Sequence, residues 1–193
     1  LELTMSWEDT KLTKSGITID DYLVMLDNNE KTDIAELIET RLIERYIAPF
    51  EMKSPNKSGF SMMAIACLLI ETIDSFREGV DDTRGETRDS FRRFFLKESI
   101  FSDFKERSDD FYFNVRCGLL HQGETKKGWR INRKNDLPML QGKSINANLF
   151  ISNLKKVIQN YALELKNSDM HGSKLWENAL KKMEFIIKNC RLS

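Results

Sequence analysis

The chain has 193 residues, of which 40% are apolar and 31% charged, and its 30 basic side chains balance 30 acidic ones. These values predict one globular domain over residues 1–193, large enough to bury a core. Zero net charge excludes a general electrostatic attraction to nucleic acid or membrane. The longest apolar run, Met62–Ile70, is far shorter than the about 20 residues of a membrane helix, so we expect no membrane partner.

The cysteine and histidine content argues against a disulfide framework and against a metal centre. Cys67, Cys117 and Cys190 are odd in number and form no CxxC pair, which favours a reducing, cytoplasmic location. Acidic residues interrupt the first thirty positions, so we expect no secretion signal. With two histidines and no cluster of thiolates, we expect no metal site and no other cofactor.

The first fifty residues predict an arm followed by helices. Residues 1–30 lack a long apolar period and predict an N-terminal arm that contains a short helix at Asp20–Leu26. Thr32 is a candidate N-cap for the amphipathic helix that follows, because its hydroxyl can accept a free main-chain N–H. Pro49 is expected to end that helix, because proline has no N–H to donate.

The next helix is expected to form the centre of the fold. After a predicted loop at Lys53–Gly59, the helix Ser61–Gly79 is nearly all apolar in its first half, which is typical of a buried helix. We therefore predict that Met62–Phe76 is the buried centre. Glu71 directly follows the apolar run, and a buried carboxylate needs a partner. It either pairs with an arginine to hold the bundle or orients the motif residues described below.

Two helices are predicted in the middle of the chain. The first, Thr87–Lys97, carries three arginines on neighbouring turns, which form either a phosphate-binding face or solvated surface: Arg88, Arg92 and Arg93. The second is expected to begin at a capping Ser108 and to end at Gly123, since glycine favours the left-handed backbone that closes helices.

The C-terminal half predicts a small hairpin and two helices. Trp129 and Ile131 alternate with polar residues, which indicates a short strand, and Lys143–Ile145 is its expected partner in a hairpin insert over residues 126–147. Amphipathic patterns then predict helices at Asn148–Leu165 and Ser173–Cys190. The predicted fold class is therefore all-α, a helical bundle with one β-hairpin insert after the motif helix.

Arg116 and His121 lie in the segment 111–123, near the end of a predicted helix. A guanidinium can hold a phosphate, and an imidazole can transfer a proton near neutral pH, so the pair suits phosphodiester chemistry without a metal. Five helical positions turn the chain by about 500°, which leaves roughly 140° between the two side chains. A site formed across a two-fold axis would bring two copies of the pair together, so we expect a homodimer.

This segment resembles the HEPN superfamily (higher eukaryotes and prokaryotes nucleotide-binding domains), whose signature is an arginine followed after four to six residues by a histidine. Arg116 and His121 match that signature, with Cys117 at a position that is often Asn, Asp or His in the family. The resemblance implies a helical bundle and a dimeric, metal-independent endoribonuclease, often a toxin or defence effector with an antitoxin protein as partner. Under this reading Arg116 and His121 are catalytic, and Glu71 supports them.

Basic residues are concentrated beside the motif. Residues 116–134 carry six basic and one acidic side chain, and basic side chains interleaved with an aromatic ring can hold a single nucleic acid strand. The alternative is a solvated hairpin whose Trp129 packs on the bundle. The candidate RNA-binding residues are Lys126, Lys127, Trp129, Arg130, Arg133 and Lys134.

Two functions are therefore compatible with the sequence. The first is an endoribonuclease that cleaves RNA by attack of the 2′-hydroxyl. The second is a non-catalytic HEPN-like module that binds nucleotide, RNA or a partner protein. The intact pair of Arg116 and His121 favours the first, and Cys117 at a usually polar position favours the second.

Overall fold

A computed structural model describes residues 6–51 and 58–191 of the chain. Within these ranges the protein is mostly helical and carries a small three-stranded sheet, which confirms the all-α fold class. Contacts between residues divide the chain into two compact units. The first unit comprises Leu1–Glu51, Ser75–Asp81 and Ile158–Ser193, and the second comprises Met52–Asp74 and Asp82–Val157.

The predicted N-terminal arm is packed into the first unit from residue 6 onward. A short 3₁₀ turn forms at Trp7–Asp9, and Leu12 is fully buried. Helix α1 spans Ile19–Asp27, and the hydroxyl of Thr18 caps its start by accepting a main-chain N–H. Residues 1–5 of the predicted arm lie outside the described residues.

The next helical stretch differs from the prediction at both ends. Helix α2 spans Lys31–Leu42, so Thr32 lies inside the helix and is not its N-cap. A π turn at Ile43–Ile47 leads directly into α3, Ala48–Glu51, so the prediction that Pro49 ends the helix is wrong. The wide π turn shifts the hydrogen-bond register just before the proline, and the helical backbone therefore continues past a residue that cannot donate.

Helix α4 spans Gly59–Glu78 and supplies the core of the second unit over most of its length. The prediction that Met62–Phe76 forms a buried helix is confirmed, although Leu68 in its middle is 39% exposed. By length and mean hydropathy α4 is apolar enough to cross a membrane, but 61% of its apolar 18-residue stretch is buried inside the protein. A helix in the core of a protein can have the same length and hydropathy as a membrane helix. Most of the predicted loop before α4, residues 53–57, lies outside the described residues.

A cluster of aromatic rings surrounds the helix that carries the motif. Helix α5 spans Thr87–Lys97, as predicted, and a 3₁₀ stretch at Ser99–Arg107 follows it. Rings from both segments and from helix α8, Ala147–Asn167, meet at centroid distances of 4.8–6.3 Å. The buried rings of this cluster are Phe91, Phe94, Phe95, Phe101, Phe104, Phe111 and Phe150.

The predicted motif helix is continuous but not uniform. It consists of α6 at Ser108–Phe111, a π turn at Tyr112–Arg116 and α7 at Cys117–Gln122, and we call these residues the motif helix. Its first residue is Ser108, which therefore does not cap it. Gly123 ends it with a φ of 68°, the left-handed backbone that was predicted there.

The predicted hairpin is a three-stranded sheet. Strand β1, Arg130–Asn132, pairs with β3, Ser144–Asn146, as expected, but the two strands run parallel. The antiparallel partner of β3 is a short strand, β2, at Leu140–Gln141. The eleven residues between β1 and β3 therefore contain a further strand that was not predicted. The hairpin is therefore β2–β3, and β1 lies on its open edge.

The first unit is completed by helix α9 at Lys174–Arg191 and by the second half of α8. Both predicted amphipathic helices are thus present, within a few residues of the predicted bounds. Their buried faces meet around Trp176, whose Nε1 donates to the carbonyl of Leu165 at 2.8 Å. The Arg77 side chain, 10% exposed, forms an ion pair with Glu164 at 2.8 Å.

Candidate functional site

The motif arginine is held in place by the carboxylate of Glu71. Arg116 Nε donates to Glu71 Oε1 at 2.9 Å, and the two side chains are 16% and 20% exposed. Burial by itself would lower the pKa of Arg116, but the hydrogen bond and charge of Glu71 raise it above its ordinary value. The sequence left two interpretations of Glu71, an ion pair that holds the bundle or a group that orients the motif residues. Both are compatible with this contact, because the arginine with which Glu71 pairs is the motif arginine.

Two further side chains contact this pair. Thr83 Oγ1 donates to the second oxygen of Glu71 at 3.1 Å, and the Tyr112 ring lies 5.8 Å from the guanidinium carbon of Arg116. Burial, followed by a side-chain hydrogen bond with Cys117, raises the pKa of Tyr112. Both oxygens of Glu71 are thus occupied, which fixes its orientation and, through it, the Nε edge of Arg116.

The guanidinium remains available on its other edge. In the described part of the chain, the two terminal nitrogens of Arg116 donate to no other residue. Two parallel N–H groups on one edge of a guanidinium match two oxygens of a phosphate. Among the described residues, Arg116 is therefore held at Nε and makes no hydrogen bond at the terminal nitrogens that could bind a phosphate.

His121 lies in a different environment from Arg116. It sits in the last turn of α7, its side chain is exposed, and it makes no hydrogen bond or ion pair within residues 6–51 and 58–191. Arg116 is the last residue of the π turn, and the five residues after it are α-helical. The expected divergence of roughly 140° therefore applies, and the structure does not bring Arg116 and His121 into contact within one chain.

The π turn itself marks this part of the helix. Such turns occur mostly as single insertions in α-helices and are frequent at functional sites. Here the insertion ends at Arg116, and the main-chain carbonyl of Asn114 inside it accepts the N–H of Lys126 at 2.8 Å. Gly118 allows this close approach, because a Cβ at that position would collide with the main-chain oxygen of Glu124. The chain after the helix is thereby folded back onto the motif.

Trp129 belongs to the core and not to the surface. Its side chain is 3% exposed, its Nε1 donates to Asp110 at 3.1 Å, and its ring meets Phe111 edge to face at 6.2 Å. Of the two sequence-based interpretations, packing on the bundle is the one that this position fits. A base cannot stack on a ring that is covered on both faces, so any strand contact in this region must come from the charged side chains.

The remaining candidate RNA-binding residues divide into two groups. Lys127, Arg130 and Lys134 are exposed, and Lys126 is half-buried. Arg133 is directed inward instead, where it donates to Asn148 Oδ1 at 3.0 Å and to a serine hydroxyl at 3.2 Å. The structure therefore assigns Arg133 to the packing of the sheet against neighbouring helices.

The three arginines of α5 are held in ion pairs. Arg88 and Arg92 both bind the carboxylate of Asp109, at 2.5 and 2.7 Å, and Arg93 binds the buried Asp74 at 2.6 Å. The hydrogen bonds from the two arginines hold the pKa of Asp109 well below its usual range. A phosphate would have to displace a carboxylate to reach any of these side chains, so the face is less suited to phosphate than the sequence suggested.

Among the described parts of the chain, the motif residues belong neither to a cluster of metal ligands nor to the groove in the first unit. Among the described residues, no three His, Cys, Asp or Glu side chains gather as metal ligands would. A groove of about 810 Å³ lies between α1 and α9 in the first unit, and none of the predicted site residues lines it. Its lining residues are Tyr22, Leu23, Leu26, Glu177, Leu180, Lys181, Glu184, Ile187 and Lys188.

Comparisons of the chain with family models, with curated proteins and with solved structures found no match.

Sequence reasoning missed two residues that support the arginine. Tyr112 precedes Arg116 by four positions, which is one helical turn, so that helical spacing was a usable signal. Thr83 lies 12 residues from Glu71 in a polar loop, and no local pattern connects the two.

Proposed function

We propose that this chain is a metal-independent endoribonuclease of the HEPN type, with Arg116 and His121 as its catalytic residues. The observation that carries the proposal is the contrast between the two side chains. Arg116 is fixed at Nε by Glu71 and keeps its terminal nitrogens for a phosphate, while His121 is exposed and unpaired among the described residues. Phosphodiester chemistry requires a fixed electrostatic group and a free proton-transfer group.

The proposed reaction uses the RNA itself as nucleophile. The 2′-hydroxyl loses its proton to a base and attacks the adjacent phosphorus, so that a bond from O2′ to phosphorus forms and the bond to O5′ breaks. An acid donates a proton to the leaving O5′, which gives a 2′,3′-cyclic phosphate and a free 5′-hydroxyl. Arg116 binds the non-bridging oxygens and stabilises their developing charge, and His121 transfers the proton. DNA lacks the 2′-hydroxyl, so RNA is the substrate.

A second copy of the chain completes this site. The reaction needs both a base and an acid, whereas one motif supplies a single imidazole that points away from its own Arg116. A two-fold axis beside the motif helix would supply two imidazoles and two guanidinium groups. Large apolar side chains on this helix support such an interface, because Phe113 and Leu120 are 48% and 47% exposed.

The dimer has its own test. Light scattering at micromolar concentration is expected to give twice the mass of the chain, and Leu120→Glu is expected to give a folded monomer with little cleavage activity. The matched control is Leu163→Glu, since Leu163 on α8 is 55% exposed and lies outside the motif. A wild-type monomer that cleaves RNA at full rate would exclude the two-fold site.

The alternative is a module that binds RNA, a nucleotide or a partner protein without cutting. It is favoured by the ion pair of Arg116 with Glu71, which holds a bundle together whether or not chemistry takes place there, and by Cys117 at the position beside the arginine. The two proposals predict the same binding but differ in cleavage. A role as a toxin or defence effector, with an antitoxin protein as partner, belongs to the cutting proposal.

The decisive experiment is an RNA cleavage assay in EDTA. Purified wild-type protein is expected to cut single-stranded RNA and to leave cyclic-phosphate ends, while the same strand with a deoxyribose at the scissile position stays intact. His121→Ala is expected to lose cleavage, and His171→Ala, which changes the other of the two histidines in the chain, is expected to keep it. If wild type does not cut RNA but binds it, the binding-module alternative is correct.

A further inference from the structure

We infer that nucleic acid phosphates bind a patch of four cations at one end of the small sheet, made of Arg107, Lys127, Arg130 and Lys143. Arg107 precedes the motif helix and Lys143 lies just before β3, so neither belongs to the basic segment beside the motif. The inference rests on the proposed function for its choice of ligand, a single-stranded RNA backbone. The geometry of the patch stands independently of cleavage.

Hydrogen bonds bring the four residues together. Lys143 Nζ donates to the main-chain oxygen of Lys127 at 3.0 Å, and the main-chain N–H of Arg130 donates to the oxygen of Lys143 at 2.8 Å. Arg107 Nη1 donates to the main-chain oxygen of Gly142, the neighbour of Lys143. The side chains of Arg107 and Lys143 and the main chains of Lys127 and Arg130 are therefore linked around the β2–β3 turn, which places the four cationic residues at one end of the sheet.

The four charges are exposed, and no carboxylate within residues 6–51 and 58–191 pairs with any of them. This distinguishes the patch from the arginines of α5 and from Arg116, each of which has an acidic partner. Like charges held close together repel one another, and an anion placed among them removes that repulsion. A chain of phosphates supplies such anions at regular intervals, and its binding releases counterions.

The sheet offers neutral hydrogen-bonding groups beside Arg130. In the register of the strands, Arg130, Ser144 and Gln141 form one cross-strand row, and the side chains of such a row share a face. Asn132 donates to the hydroxyl of Ser144 at 3.0 Å on the same face. Polar groups of this kind can contact sugars and phosphate oxygens without reading a base.

The patch is also attached to the motif helix. The turn that carries Lys127 is fixed by the hydrogen bond from Lys126 N–H to the carbonyl of Asn114, two residues before Arg116. Trp129, directly before Arg130, is anchored to Asp110 in α6, two residues before the π turn begins. A strand bound along the patch is thus guided toward the helix that carries the proposed catalytic residues.

The backbone of Lys127 provides a clean way to remove one charge. Its φ is 53°, in the left-handed region that most side chains avoid, and Gly128 follows with a φ of 79°. Asparagine tolerates this backbone well, so Lys127→Asn removes the cation without disturbing the turn. Lys143→Gln and Arg130→Gln likewise remove charge and keep a side-chain donor.

The test measures binding separately from cleavage. Fluorescence anisotropy with a labelled single-stranded DNA, which lacks the 2′-hydroxyl, gives the affinity of the full chain over a series of salt concentrations. For the double variant Arg130→Gln/Lys143→Gln, the affinity is expected to depend less steeply on salt. The negative slope of log affinity against log salt should become shallower by about 1.4, or about 0.7 for each lost phosphate contact. The control, Lys97→Gln/Lys156→Gln, removes two exposed lysines elsewhere and is expected to keep the wild-type slope.

The outcomes separate this inference from the proposed function. If the double variant keeps the wild-type affinity and slope, or if wild type does not bind the strand, the patch is not a phosphate site. In cleavage assays the double variant is expected to raise KM and to leave kcat within about twofold. A protein that loses binding with the double variant but never cuts RNA would retain the patch and overturn only the nuclease proposal.

Discussion

Replacing Glu71 tests whether Arg116 is positioned for chemistry or only for packing. Glu71→Gln keeps the size of the side chain and one acceptor oxygen for the Nε–H of Arg116, but it removes the negative charge. Glu71→Ala removes both. If the carboxylate positions Arg116, the order of cleavage rates is expected to be wild type, then glutamine, then alanine, because the glutamine retains part of the orientation and the alanine retains none.

The size of the effect follows from burial. Breaking a fully buried ion pair costs about 3–5 kcal/mol, and exposed pairs contribute about 0–1 kcal/mol. With 16% and 20% of the two side chains exposed, we expect Glu71→Ala to lower the free energy of unfolding by about 1–3 kcal/mol. A loss of this size lowers the melting temperature by about 2–4 °C per kcal/mol in a chain of this length, which leaves a folded protein at 25 °C. Cleavage is expected to fall by about 10²-fold, because a displacement of about 1 Å at a reacting group costs that much.

A neighbouring ion pair provides the control. Asp74 lies on the same helix as Glu71, its side chain is 3% exposed, and it binds Arg93 at 2.6 Å. Asp74→Asn is expected to destabilise the protein at least as much as Glu71→Gln while it leaves cleavage per folded molecule unchanged. Cleavage is followed in EDTA and unfolding by thermal melts. Equal cleavage by wild type and Glu71→Ala would refute the idea that Glu71 positions Arg116.

Three further changes test other parts of the argument. His121→Ala is expected to reduce cleavage by about 10²–10⁴-fold with no change in melting temperature, because the side chain is exposed and unbonded among the described residues; an unchanged rate would exclude it from catalysis. Gly118→Ala is expected to destabilise the fold by about 1–3 kcal/mol in denaturant titrations, because its Cβ meets a main-chain oxygen. Gly123→Ala serves for comparison, because its Cβ has open space and it carries only the cost of a φ of 68°, about 1–2 kcal/mol. Burial, and to a smaller extent the charge of Glu184, raise the pKa of Tyr22 to about 12. The pKa of tyrosine in an unfolded chain is about 10. The folded state therefore holds more protons above pH 10, its stability falls as the pH rises from about 10 to about 12, and Tyr22→Phe is expected to weaken that fall in alkaline melts.

The helices could be predicted where one face is simply buried. The bounds Thr87–Lys97 are the same in sequence and structure, and Gly123 ends its helix as expected, because apolar spacing and a glycine terminator are local signals. The start of α2, the passage through Pro49 and the parallel pairing of β1 with β3 were not predicted. The passage through Pro49 follows a π turn whose hydrogen-bond register apolar spacing does not reveal, and the pairing of β1 with β3 joins residues 14 positions apart.

Some residues of the candidate site could likewise be predicted from the sequence, and others could not. Arg116, His121 and Glu71 stand out in the sequence because their chemistry is unusual for their positions on predicted helices. Thr83 could not be found, since its contact with Glu71 joins a loop to a helix. The sequence also did not decide whether Trp129 is buried. Alternating residues of a strand lie on two faces, and the alternation does not show which face is covered by the rest of the protein.

The two π turns could not be predicted from the local amino-acid composition. Both begin and end within patterns that read as ordinary amphipathic helix, yet one turn carries the chain through Pro49 and the other ends at Arg116. An inserted residue rotates everything that follows it relative to what precedes it, by about 100°. In the motif helix, Phe111 packs in the aromatic cluster before the insertion, and Arg116, the last residue of the π turn, reaches Glu71. Because the turn ends at Arg116, it sets the direction of that side chain relative to the core without changing its angle to His121. The packing of the helix therefore fixes the arginine while the histidine diverges into solvent, and the proposed two-fold site would supply an imidazole from a second copy of the chain to a phosphate bound by Arg116.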